Sequence, residues 1–302
     1  MSRVIVAASR LKNAAGKGAW EFIRRRRLAS YLKSDRRPWR EGYAEYRSQF
    51  LEEALNNTQL LHAFDKSEPL PQGYGFRLDA RVVEIPWLAA RAARHEGNFL
   101  DAGSALNYDF VLESKMLVDK RRTIVTLAPE GDAFWKLGVS YVYGDLRNLD
   151  FRDNLFDAIA CISTIEHIGM DNSMYAGASD LAKRGDPTEF LTAVRELKRV
   201  LKPGGSLYIS FPFGRYENHG WFQQFDAELV DTLIEGFGPT RKVEEIFRYD
   251  PDGWRRSERA SCATCEFFDV HESKYNNPQS TLEYPPDYPA GERALACIEL
   301  QK

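Results

Sequence analysis

From residue 98 onward the chain alternates short apolar runs with longer segments whose apolar residues recur at helical spacing. The runs predict strands at Phe99 to Asp101, Thr123 to Leu127, Ser140 to Tyr143, Ala158 to Ser163 and Ser206 to Phe211. They are short and almost wholly apolar, as strands covered on both faces must be, and their alternation with helices argues for a parallel sheet. The best-defined helix is 187 to 201. Asp186 can cap it, Pro187 suits its first turn and Glu189 is placed for a capping box. Phe190, Leu191, Val194, Leu197 and Leu201 give it one buried stripe, and Pro203-Gly204-Gly205 stops it. Ala227 to Gly236 predicts a further helix, Lys242 to Phe247 a strand and Ala294 to Leu300 a final strand.

Upstream of the sheet, Tyr43 to Phe64 predicts a helix, Pro69 to Tyr74 a turn, and Asp79 to His95 a second helix interrupted near Pro86. The pattern divides the chain into a basic arm (1–40), a helical cap (41–96) and a main α/β domain (97–302). Within the last, 250–293 is a loop-rich insertion with Pro285-Pro286 and Pro289.

Composition changes this picture little. At 302 residues, 43% hydrophobic and 28% charged, the chain is an ordinary globular protein of one large domain with additions. No run approaches the ~20 apolar residues of a membrane helix, no secretory leader is visible, and four scattered cysteines suit a reducing cytoplasm. Charge is more telling. The formal net charge is −3, yet residues 1 to 40 hold twelve Lys or Arg against Glu21 and Asp35. Arg24 to Arg27 sit among Phe22, Ile23, Leu28 and Tyr31, a mixture that suits an anionic membrane surface or nucleic-acid phosphates. A solvated arm is the plainer reading.

Three motifs carry chemistry. Asn98-Phe-Leu-Asp-Ala-Gly-Ser-Ala-Leu-Asn107 is a strand ending in Asp101 and a small-residue turn at Gly103, where the backbone can pass close to a ligand. Gly144-Asp145-Leu146 leads into Phe156-Asp-Ala-Ile-Ala-Cys-Ile-Ser-Thr-Ile-Glu-His167, and Val194 to Phe211 follows. In this order and at these separations they resemble the class I S-adenosylmethionine-dependent methyltransferases, over roughly residues 95 to 247 and the final strand. The resemblance implies a Rossmann-like, doubly wound, seven-stranded, mostly parallel sheet with an antiparallel last strand. It implies S-adenosyl-L-methionine as cofactor, held by the Asp101, Gly103, Ser104 and Asn107 loop, by a ribose acid at Glu130 and by an adenine site at Asp145 and Leu146. Ala105 and Asn107 stand where that family has further glycines, and Glu130 comes a little later than usual.

Methyl transfer to a hydroxyl needs a base. His167 is the first candidate, Glu166 the next and His219, in the aromatic segment Phe213 to Asp226, the alternative. Each has a structural reading beside it, as a cap or as part of a packed lid. Asp171, Asn172 and Tyr175 could line the same pocket. Asp79, Arg81, Glu84 and Trp87 could fold over the cofactor, or could be surface ion pairs. Cys262-Ala-Thr-Cys265 has the spacing of half a zinc site, but His271 and Cys297 do not complete a standard one, and no metal constellation stands out.

Residues around Leu78 to Trp87, Leu100 to Asn107 and Cys161 to Tyr175 resemble a bacterial subset encoded with surface-polysaccharide enzymes. That resemblance implies O-methylation of a sugar or glycan intermediate, in the cytoplasm or peripherally at the inner membrane. Two readings stand against it: a nucleic-acid methyltransferase and an inactive scaffold with the same fold.

Overall fold

The computed structural model of the chain describes residues 17–177 and 185–302. Among the described residues there are ten strands: β1 (Asn98–Ala102), β2 (Arg121–Thr126), β3 (Ser140–Tyr143), β4 (Phe156–Ile162), β5 (Leu201–Pro212), β6 (Glu217–Asn218), β7 (Gln223–Gln224), β8 (Arg241–Asp250), β9 (Gly253–Ser257) and β10 (Ala294–Gln301). Eight form one sheet in the order β3-β2-β1-β4-β5-β10-β8-β9, and β6 and β7 make a small separate hairpin. The strands from β3 to β5 run parallel, β10 enters antiparallel between β5 and β8, and β9 is antiparallel to β8. This is the Rossmann-like, mostly parallel sheet expected, with one correction: eight strands, not seven. The extra edge strand comes from the stretch expected to be loop. Asp250-Pro-Asp-Gly253 turns β8 back on itself, and Trp254 then packs into the core.

Side chains along the central strands alternate between two cores, as the two-residue period of a strand requires. Phe99, Ala158, Ala160, Tyr208 and Phe247 face one cluster; Leu100, Ile159, Cys161, Ile209 and Phe211 face the other. The first cluster is closed by the N-terminal helices α1 (Lys17–Lys33), α2 (Tyr43–Asn56), α3 (Thr58–Asp65) and α4 (Arg81–Ala92). The second is closed by α5 (Phe190–Val200) and α6 (Ala227–Phe237).

The structure corrects the helix expectations in detail. The helix expected over Tyr43 to Phe64 is two, broken at Asn57, whose extended backbone and side chain cap Leu60 N at 3.0 Å. Pro86 does not interrupt α4 but lies inside it. Asp186 caps the turn before α5 by accepting from Thr188 N at 2.8 Å, whereas Glu189 forms no capping box and pairs with Arg147 instead. Helix α5 ends at Val200, and Pro203 to Gly205 already belong to β5. Residues 1–16 of the basic arm lie outside the described residues; 17–33 are helical.

Helix α4 is bolted to the far half of the sheet by buried charge. Glu245 of β8 accepts from Trp87 Nε1 at 2.6 Å, from Arg91 at 3.0 Å and from Arg256 at 2.6 Å. All its oxygens are used, as a buried carboxylate requires. Asp79, Glu84 and Trp87 are therefore not surface residues: all three are buried.

Candidate functional site

The carboxyl ends of β1, β2, β4 and β5 meet under the amino end of α4, and most of the expected site residues converge there. Asp101 ends β1 nearly fully buried, its two oxygens accepting from Ala105 N at 3.2 Å and Leu106 N at 2.9 Å. It thereby holds its own loop in a bend. Burial pushes its carboxyl up to about 7, against the pull of those amides. Gly103 has φ +114°, and a Cβ there would lie 2.1 Å from Thr164 Oγ1. The glycine is demanded by the loop after β4 pressing against the loop after β1. Ser104 also has positive φ (63°), and its buried hydroxyl has no partner.

Two further residues are joined to this loop. Asn107 Nδ2 donates to Glu130 Oε2 at 3.0 Å and its Oδ1 accepts from Tyr141 OH at 2.8 Å, tying the β1 loop to the β2 loop. Asp145 is held differently. Arg147 grips it through Nε and Nη2 and donates its own amide to Asp145 Oδ1 at 2.8 Å. Leu146 is buried in the second core.

Above the strand ends, Arg81 Nη1 donates to Glu84 Oε2 at 2.9 Å and to Ile162 O at 3.4 Å. The other Glu84 oxygen accepts from Ser210 Oγ at 2.7 Å and from Ser163 Oγ. Arg47 pairs with Asp79 at 2.5 Å and reaches Tyr108 OH at 3.4 Å; Asp79 Oδ1 has no partner. Of the four residues expected to fold over the site, Arg81 and Glu84 do so, while Trp87 supports the sheet through Glu245. Arg47, Ser163, Ser210 and Tyr108 were not anticipated. They lie far apart in the sequence, and no local pattern marks them.

The β4 loop brings the base candidates together. Glu166 is buried, Oε2 lacks a partner, and burial first, then Glu84, pushes its carboxyl well above the ordinary range. His167 Nδ1 lies 2.9 Å from Trp221 O, its Nε2 3.9 Å from Glu166 Oε1. Burial pushes its imidazole down to about 4. The ring is therefore neutral near pH 7. A carbonyl only accepts, so Nδ1 carries the proton and Nε2 keeps its lone pair. Tyr175, Trp221 and Phe222 surround it at 5.5, 5.4 and 6.1 Å between ring centres. His219 stacks on Phe222 at 4.4 Å, its Nε2 buried without a hydrogen bond and 3.5 Å from Glu217. It shares the aromatic cluster with His167 rather than the strand ends. Asn172 braces the loop by donating to His167 O at 2.8 Å, and Asp171 N donates to Gly220 O at 3.0 Å.

The zinc reading is not supported. Cys262 packs in the second core and Cys297 in the first, on opposite faces of the sheet. Among the described residues no group of three His, Cys, Asp or Glu could hold a metal ion. Two surface clefts beside the N-terminal helices, one lined by Arg36, Tyr46 and Phe50 and the other by Tyr31, Arg37 and Arg40, touch none of the site residues.

Residues 112–209 match a family model described as a methyltransferase domain. That third of the chain is similar to a methyltransferase domain. The match spans β2 to β5, including the Asp145, Glu166 and His167 loops. No curated protein matches. Solved structures with a similar arrangement include the N-methyltransferase NodS from Bradyrhizobium japonicum WM9 in complex with S-adenosyl-l-homocysteine (15% identity, 84% of this chain and 97% of that, TM-score 0.40). The Burkholderia thailandensis 1,6-didemethyltoxoflavin-N1-methyltransferase is another (14%, 85% and 89%, TM-score 0.43). A possible histamine N-methyltransferase from Thermotoga maritima is a third (17%, 84% and 98%, TM-score 0.40). Likeness of that order says nothing of what this chain acts on.

The residues present fit the cofactor that the resemblance implies. A desolvated carboxylate at Asp101 and the unpartnered oxygens of Glu166 and Asp79 favour a ligand that brings positive charge and hydrogen-bond donors. As the resemblance implies, Asp101 and Glu130 would hold its amino and ribose groups. Asp145 can serve an adenine only if Arg147 gives up one of its contacts.

Proposed function

We propose that this protein is an S-adenosylmethionine-dependent methyltransferase that O-methylates a sugar or glycan intermediate of surface-polysaccharide synthesis. S-adenosylmethionine is the methyl donor, and when bound it supplies a methyl group on a sulfonium. The observation that carries the transfer to a hydroxyl is His167, a neutral imidazole with Nδ1 fixed on Trp221 O and Nε2 open at the end of β4. A hydroxyl placed against Nε2 gives up its proton there as its oxygen gains the new bond to carbon. The Trp221 carbonyl, held by Nδ1–H, fixes the tautomer and steadies the imidazolium. Trp221 and Phe222 exclude water from behind the ring. Tyr175, 43% exposed and 5.5 Å from the His167 ring, offers a ring against which a sugar can stack.

The protein works in the cytoplasm, at the inner face of the membrane where a lipid-linked acceptor is found. Among the described residues no helix is long and apolar enough to cross a bilayer. Contact with an anionic surface falls to α1, where Phe22 is exposed beside Arg24, Arg25 and Arg26. Nucleic acid is the less favoured partner.

The test is calorimetry with S-adenosylmethionine, followed by methyl-release assays against nucleotide sugars, lipid-linked glycans and RNA. Cofactor binding with turnover on a glycan is expected. His167→Asn should leave the cofactor Kd unchanged and lower kcat by roughly 10²- to 10⁴-fold. The base acts deprotonated and protonates only as pH falls through about 4, so at saturating cofactor kcat/KM for the acceptor should be flat from pH 6 to 8 and fall at the acid limb, the Asp101 titration near 7 showing instead in cofactor binding. No binding at millimolar cofactor removes the enzyme reading; turnover on RNA alone replaces the glycan.

A further inference from the structure

Cys262 and Cys265 take no part in the site just described, yet their surroundings are specific. Cys262 ends a single helical turn, Arg259–Cys262, and Cys265 N donates to Cys262 O at 2.9 Å. Such a turn keeps the two Cα atoms within ~7 Å, inside the span a disulfide can bridge. Cys262 is fully buried against Ser257 Oγ, 3.4 Å from its sulfur, while Cys265 is part-exposed. The hydrogen bond between the two thiols, with Arg248 and Arg255 nearby, pulls Cys262 down to about 6 and pushes Cys265 up. The pair thus shares one proton. Cys161 and Cys297, buried in the sheet, are pushed up by burial and are inert.

The Cys265 carbonyl is also a clamp on the aromatic loop. It accepts from Arg215 N at 2.9 Å and from the buried Gln224 Nε2 at 2.8 Å. The fit is flush, because a Cβ on Gly214 would lie 2.1 Å from that oxygen. Two residues on, Phe267 packs against Phe222 at 4.7 Å, the ring that flanks both His167 and His219.

We propose that Cys262 and Cys265 are a redox-active dithiol that closes reversibly to an intrachain disulfide, and that closure pulls the Cys265 carbonyl off the 213–225 loop. With a low-molecular-weight disulfide as oxidant, the accessible Cys265 sulfur passes its proton to the Cys262 thiolate, attacks one sulfur and expels one thiolate, leaving a mixed disulfide. The Cys262 thiolate then attacks Cys265 Sγ and expels the second. Two electrons pass from the protein to the oxidant, and the one proton of the pair, given up by Cys262 before its attack, leaves on one of the two released thiols. The inference is independent of the acceptor proposed above.

The full chain, equilibrated across glutathione redox buffers and trapped with iodoacetamide, tests it. Two alkylation sites should be lost together in one step, with peptides placing a link between 262 and 265. Cys262→Ser should trap glutathione on Cys265, and Cys265→Ser should stay unmodified. Four thiols persisting under excess oxidised glutathione, or a lasting adduct on the unsubstituted chain, overturns the dithiol. Hydrogen exchange reads the clamp: the Arg215 amide should exchange roughly five- to tenfold faster in the oxidised chain and not in the double Ser variant. Equal exchange in oxidised and reduced chains overturns the coupling to the loop.

Discussion

One backbone carbonyl decides what His167 can do. Trp221 O accepts from Nδ1–H, burial keeps the ring neutral, and Nε2 keeps its lone pair beyond the end of β4. The same burial pushes the Glu166 carboxyl well above its ordinary range, which disfavours its ionised form and makes it the poorer resting base. Glu166→Gln, which imitates a neutral acid, should keep kcat within about threefold, whereas Glu166→Ala opens a void beside His167 and should cost tenfold or more. Steady-state kinetics on the two variants distinguishes them, and equal losses would mean that Glu166 works ionised. His167, Glu166 and Asp101 were legible in the sequence because they follow strands within a few residues. Arg81 and Glu84 were visible as charges, but their burial was not: nothing local says that a helix 80 residues upstream lands on Ser163 and Ser210.

Among the elements, the loop after β1 shows how a glycine is read correctly for an incomplete reason. Its freedom to approach a ligand was evident from sequence. The structure adds that Thr164, from the loop after β4, already fills the space a Cβ would need, at a backbone φ of +114°. Gly103→Ala should therefore destabilise the free protein by about 2–4 kcal/mol, before any question of cofactor. Thermal unfolding should show this as a fall of roughly 5–15 °C in Tm, and Thr164→Gly should recover part of it. The hairpin of β8 and β9 is the converse case. Arg255 and Arg256 read as loop because no apolar run surrounds them, yet β8 supplies the pairing edge, and Arg256 reaches across to Glu245. A strand made by its partner leaves little trace in its own residues.

For the whole molecule, the N-terminal helices and the sheet are one packed body, and Glu245 is where they lock. Glu245→Ala would leave Trp87 Nε1 without its acceptor and take the carboxylate from the buried Arg91 and Arg256, which keep only their other partners, so a loss of about 3–5 kcal/mol in denaturant unfolding is expected. A loss below 1 kcal/mol would mean that water reaches the network. The same packing constrains how a membrane contact is tested. Tyr31 of α1 is buried in the first core and bonds Arg36 O at 2.8 Å, so removing the whole arm would damage the fold. Phe22→Ser combined with Arg24, Arg25 and Arg26→Ala alters only the outer part of α1. Sedimentation with anionic vesicles should drop at least tenfold for that variant, with thermal stability unchanged. Undiminished sedimentation would sink the surface contact.

The sequence by itself determined the order of β1 to β5, β8 and β10 and of the helices α5 and α6 among them, the Asp101 bend and the Glu166–His167 pair. Each depends on periodicity or on residues a few positions apart, and such relations are written along the chain. Only the tertiary structure decided which strand takes the sheet edge, that Arg147 holds Asp145, and that Trp221, more than fifty residues downstream, sets the His167 tautomer. Those outcomes turn on which distant groups share the same dry volume, and burial of a charge or a polar atom has no signature until the chain has closed around it.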